Sequence, residues 1–148
     1  MSFLSDADIV IRGLNTFYED SISARRPVIN QEPLEQIVGT LGLDGYVRHG
    51  GLTGESLADF LSKYLVTATS LYHPEYLGHQ VAVPHPNGPL GSLIDGFTAN
   101  PMAIYEMGPG ATSIEYFVIN WMLEKIGWQP APLDRERSME NHPHVEVF

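Results

Sequence analysis

The sequence predicts a mainly α protein, and three observations carry that prediction. Apolar residues recur at helical spacing in five separate stretches, helix-start and helix-stop residues bracket most of them, and the extended candidates are two brief pieces, Gln80 to Val83 and Met102 to Tyr105. About five helices and one proline-rich loop are expected.

Ser5-x-x-Asp8 can cap a first helix, along which Ile9 or Val10, Leu14, Phe17, Tyr18 and Ile22 recur until Arg26-Pro27 breaks the pattern. Asn30 precedes Pro33, a residue tolerated in a first helical turn. Leu34, Ile37, Val38 and Leu41 then follow at i, i+3, i+4 and i+7, so a short helix should end near Gly42. The glycines and polar residues between Gly42 and Gly54 read as a connection. Thr53 is the expected cap of the next helix, whose stripe is Leu57, Phe60, Leu61, Tyr64, Leu65 and Ala68. These helices share no motif at a constant period, which excludes an internal repeat.

Prolines 74, 84, 86 and 89 interrupt any helix from His73 to Gly91, leaving an ordered loop with Gln80 to Val83 as at most a short extended piece. Leu90, Leu93, Ile94 and Phe97 predict another helix, ended by Asn100-Pro101, and Met102 to Tyr105 reads as a brief extended segment. In the last helix Thr112-x-x-Glu115 matches a capping box. Ile114, Val118, Trp121, Met122 and Lys125 form its stripe, and Gly127 sits where a C-cap glycine would. From 129 to 148 the chain is polar and punctuated by prolines, and is expected to be a tail.

Composition bounds the function. With 148 residues and 43% hydrophobic content the chain is globular rather than disordered, and no apolar run approaches the roughly 20 residues that cross a bilayer. A net charge of −10, with Arg25-Arg26 as the one basic pair, opposes a nucleic-acid interface, since phosphate binding needs clustered cations. Acids near the N-terminus and the absence of cysteine suit a cytoplasmic protein without membrane association.

Chemistry-bearing patterns are sparse. His73, His79 and His85 recur every sixth residue, and His142-x-His144 adds two more, but Pro84 and Pro86 oppose the regular strand that would align the first three on one face. The preferred reading is loop histidines, with no metal. There is no cysteine and no Gly-x-Ser-x-Gly elbow to suggest a nucleophilic hydrolase. Gly108 to Thr112 hints at an anion cradle, yet Pro109 lacks an N–H and the spacing is neither that of a P-loop nor of a dinucleotide fingerprint. Tyr116, Phe117, Trp121 and Trp128 read as packing residues rather than a cofactor cage.

Four stretches together carry more: Tyr72-His-Pro-Glu-Tyr-Leu-Gly-His79, Leu90-Gly-Ser-Leu-Ile-Asp95, Asn100 through Met107-Gly-Pro-Gly-Ala-Thr112, and Glu115 through Trp121 to Trp128. Their order and spacing resemble the group II pyridoxal-phosphate-dependent amino-acid decarboxylases. The resemblance implies a homodimeric carboxy-lyase of the aspartate-aminotransferase-like fold. Residues 1–71 would be its N-terminal helical dimerisation segment, 72–128 the start of its decarboxylase domain, and 129–148 a polar tail. Members act on amino acids such as aromatic amino acids, glutamate or 2,4-diaminobutyrate. Their cofactor ring takes up the electron pair left when carbon dioxide departs.

By the same resemblance, His79 and Gln80 lie on a substrate-side loop, and Met102 to Tyr105 approach the other subunit's active site. Ala82 stands where some aromatic-amino-acid members carry a substrate-contacting threonine. The family's phosphate-holding Gly-Gly-Ser/Thr turn, ring-stacking histidine, ring-nitrogen aspartate and His-Lys pair have no counterparts. The only lysines are Lys63 and Lys125, neither after a histidine. The expectation is a decarboxylase fragment with no catalytic residue, binding no pyridoxal phosphate by itself. It would pair with a second copy or with a missing C-terminal decarboxylase domain. The alternatives are a stand-alone interaction module, or one half of a split enzyme.

Overall fold

The computed structural model describes residues 2–78 and 81–132. Among these residues it is mainly helical: six α-helices, one short 3-10 turn and no strand. The chain divides into two compact units, residues 1–85 and Pro86 onward.

In the first unit, α1 spans Phe3–Ile22. It starts earlier than the Ser5-x-x-Asp8 reading expects, because Ser2 is the cap: its Oγ accepts from the Ser5 N–H (3.3 Å), and Ser5 Oγ accepts from the Ser2 N–H (3.2 Å). A serine here takes the part that glutamate plays in a standard capping box. At the other end the Ala24 N–H donates to Ser21 O and the Arg25 N–H to Asp20 O, closing a Schellman motif. Ala24 holds the left-handed position at φ 53°, where glycine is the usual occupant.

Helix α2, Leu34–Leu41, ends at left-handed Gly42 as expected. Helix α3, Leu43–His49, was not expected. Leu43 and Tyr46 are half-buried and the Tyr46 ring meets Phe60 edge-on at 5.4 Å, so one aromatic contact supports a turn-rich stretch. Helix α4, Gly54–Thr67, packs against both α1 and α2. The inward line of α1 runs through Ile9, Gly13 and Phe17. Gly13 lets the two helices approach closely: a Cβ there would lie 2.7 Å from Leu61 Cδ2, so the Leu61 side chain would have to turn aside.

Both ends of α4 are closed by distant residues. Thr53 makes no side-chain cap; Asp6 Oδ1 accepts the Gly54 N–H instead, at 2.9 Å. At the C-terminal end Arg26 Nη2 donates to Leu65 O (2.5 Å) and Ala68 O (3.4 Å), with its guanidinium 3.9 Å above the Phe17 ring. A cation at a helix C-terminus also opposes the negative end of the macrodipole.

In the second unit, α5 spans Gly88–Thr98, the 3-10 turn Tyr105–Met107, and α6 Pro109–Lys125. Helix α6 also begins early, with Gly108 as cap and Pro109 at its first position, so the predicted Thr112-x-x-Glu115 capping box does not form. Its end is a second Schellman motif, with Gly127 at φ 80°, its N–H on Glu124 O and the Trp128 N–H on Leu123 O.

The buried stripe of α6 differs from the predicted one. Ile114, Val118, Trp121 and Met122 are exposed, whereas Leu123 is 7% exposed and Thr112, Tyr116 and Asn120 are half-buried. On α5, Leu90, Leu93, Ile94 and Phe97 are all exposed. No helix among the described residues is long and apolar enough to cross a membrane.

Candidate functional site

The His-Pro loop is anchored before it reaches the residues of interest. Buried Ser70 ties it to the segment after α1, its N–H donating to Val28 O (2.7 Å) and its Oγ to Pro27 O (2.9 Å). The Tyr72 ring stands edge-on to Tyr18 at 4.9 Å. His73 is buried, and its Nδ1 accepts the Glu75 N–H at 3.0 Å while its carbonyl accepts the Tyr76 N–H. By accepting one backbone N–H through its ring and another through its carbonyl, His73 acts as the keystone of a turn. His79 and Gln80, which follow Gly78, lie outside the described residues.

The second predicted segment, Met102 to Tyr105, is not the extended piece expected. Met102 and Ala103 form a turn, and Tyr105 opens the 3-10 turn, with the Met107 N–H on Ile104 O and the Gly108 N–H on Tyr105 O. The tightness has a steric origin: a Cβ on Gly108 would lie 2.8 Å from Pro101 O, so the loop returns close to its own start. Proline at 101 and again at 109 excludes extension of either flanking helix through the loop. Met102 and Tyr105 project outward at 47% and 57% exposure.

A cavity of about 330 Å³ runs beside the α1/α4 contact, walled by Ile9, Gly13, Phe17, Leu61 and Leu65, with Asp20 and Arg26 among its lining. Burial lowers the Arg26 pKa from its ordinary value, partly countered by the Asp20 charge. An arginine stays protonated through such a change, so Arg26 supplies a fixed positive charge rather than an acid or base. Its Nε is buried without a partner.

The two lysines do not fit a Schiff-base site. Lys63 is half-buried and bonds Asp59 at 2.6 Å, a contact that raises its pKa; Lys125 sits 5.4 Å from the Trp121 ring. A Schiff-base lysine must reach its neutral form to attack a carbonyl, and a carboxylate partner opposes that. Nor does the start of α6 offer a phosphate cradle, since Pro109 removes one of its free N–H groups. Among the described residues no three histidine, cysteine or acidic side chains gather as a metal site.

Periodicity located the exposed α6 stripe but had no means of finding the Tyr116 and Asn120 contacts. Tyr116 donates from its hydroxyl to Pro132 O, and Asn120 pairs with both backbone groups of Ala131. The first residues of the expected tail are therefore bound along α6, and residues 133–148 lie outside the described ones. No family model, curated protein or solved structure matches the chain.

Proposed function

We propose that these residues serve as the N-terminal helical part of a pyridoxal-phosphate-dependent amino-acid decarboxylase acting in the cytoplasm. They would supply a substrate-side loop and a dimer-forming surface, while the Schiff-base lysine comes from sequence outside the 148 residues. The observation that carries the reading is the ordered run of motifs from His73 to Trp128. Two structural facts support it: the described residues are mainly helical, and the loop bearing the His-Pro motif is braced against α1 through Tyr72 and against the segment after α1 through Ser70. In this reading His79 and Gln80 lie on a substrate-side loop, Met102 to Tyr105 approach the active site of the other subunit, and pyridoxal phosphate binds only where another polypeptide segment completes the enzyme.

The test is reductive trapping. The purified chain is incubated with pyridoxal phosphate, reduced with borohydride and weighed by mass spectrometry. The expected product is the unmodified 16.4 kDa chain, and no carbon dioxide release from amino acids. A stoichiometric adduct on Lys63 or Lys125 would overturn the reading.

A second reading, a stand-alone oligomerisation module, is favoured by one feature. The apolar stripes of α5 and α6 are exposed in the described residues, with Phe117 at 69%, and contiguous exposed apolar surface marks interaction sites. Light scattering tests it: a well-behaved monomer near 16.4 kDa counts against both this reading and the dimer-forming role above.

A further inference from the structure

The half-buried polar stripe of α6 already holds an extended segment. Residues 129–132 read Gln-Pro-Ala-Pro, so Ala131 carries the only N–H between Pro130 and Pro132. That N–H donates to Asn120 Oδ1 at 2.9 Å, and the Ala131 carbonyl accepts from Asn120 Nδ2 at 2.9 Å. One turn earlier on the helix, the Tyr116 hydroxyl donates to the Pro132 carbonyl at 2.8 Å. A carboxamide aligned in this way reproduces one rung of a β-ladder, and all three bonds go to backbone atoms.

The prolines make the segment a suitable occupant. Each disfavours helical conformation in the residue before it, so Gln129 and Ala131 are held extended before they dock and lose little freedom on docking. Neither proline brings an N–H that would be stranded when Tyr116, Asn120, Ala131 and Pro132 become half-buried. The match is to a pattern: one N–H bracketed by two imide nitrogens.

We propose that Tyr116 and Asn120 form a clamp for extended Pro-x-Pro segments, that residues 130–132 are its resident occupant, and that a Pro-x-Pro segment of another polypeptide takes the clamp when the resident one is released. The resident segment competes from only 11 positions along the chain, Asn120 to Ala131, which gives it an effective concentration of order millimolar. The clamp therefore ignores dilute peptides until the resident lets go.

The experiment uses the full chain and a fluorescein-labelled peptide Gln-Pro-Ala-Pro, read by anisotropy. Ala131→Pro removes the resident N–H and frees the clamp, so the variant binds the peptide on the order of tenfold or more tighter than the unaltered chain. Adding Asn120→Ala to that variant abolishes the gain, and a peptide with proline in place of its alanine does not bind. Equal binding to both chains, or binding that survives Asn120→Ala, overturns the proposal. Should Ala131→Pro lower helix content by circular dichroism, the unaltered chain is titrated with unlabelled peptide into the millimolar range. The Ala131 amide resonance then moves as the resident is displaced, and a resonance that stays fixed overturns the proposal equally.

Discussion

In residues 2–85 the ends of α4 are held by Asp6 and Arg26, partners 39 to 48 positions away. In residues 86–132 the polar ties described are local: Asn120 reaches 11 positions and Tyr116 reaches 16. Both regions contain amphipathic helices, but the first turns Phe17, Leu61 and Leu65 toward one another, and the second leaves the apolar stripes of α5 and α6 exposed. The difference teaches that a helix can be well formed at both ends, as α6 is, without its apolar face being used. Capping and burial are separate sources of order.

Single substitutions test whether the two regions are held in these different ways. Both tryptophans lie in the second region, so their fluorescence follows that region while circular dichroism follows all six helices. The largest effect is expected from Arg26→Met, which keeps an apolar stem against Phe17 but strands the Leu65 and Ala68 carbonyls. A loss of about 2–3 kcal/mol is expected in urea titrations, the upper range for bonds to charged groups, tempered by the burial of the guanidinium. The transition should move by circular dichroism far more than by tryptophan fluorescence; equal shifts would mean that the two regions unfold together.

Next is Gly108→Ala, whose methyl meets the Pro101 carbonyl at 2.8 Å. Backbone cannot swing aside as a side chain can, so a loss of about 1–3 kcal/mol is expected, seen first by tryptophan fluorescence. Ala24→Gly goes the other way. Glycine relieves the left-handed strain at the end of α1, and a gain of about 1 kcal/mol should raise the midpoint of the first region. The smallest effect is expected from Phe117→Gln. An exposed side chain on an unused face should change stability by no more than about 0.5 kcal/mol, and a cost several times larger would show that the α6 stripe is packed after all.

Much of the fold was legible because helical periodicity is a local property. The positions of helices α2, α4 and α5, the Gly42 and Gly127 stops and the loop before α5 all follow from neighbours within a few turns. The starts of α1 and α6 were misjudged for a shared reason. A Thr or Ser beside an apolar run resembles a cap, whereas Ser2 and Gly108-Pro109, one turn upstream, hold that position. Helix α3 was hidden by its glycines; the i, i+3 pair Leu43 and Tyr46 was the available signal.

The closure of α4 by Asp6 and Arg26 was unreadable, since nothing local marks a carboxylate as belonging to an amide 48 residues later. At the candidate site, the anchoring of the loop through Ser70 and the turn at Met102 are likewise tertiary facts. The Asn120 clamp has a trace in the sequence, a lone N–H between two prolines, but no rule of periodicity points from it to α6.

The dependence of α4 on Asp6 also has a meaning in time. A ribosome adding about 5–20 residues per second needs roughly 2–10 s to travel the 48 residues from Asp6 to Gly54, and longer to complete α4. Throughout that interval α1 has emerged with Ile9, Val10 and Phe17 facing water and its helical partner not yet made. Slow codons between the two helices would lengthen this exposure, and a chaperone that holds short apolar helices would find its substrate there.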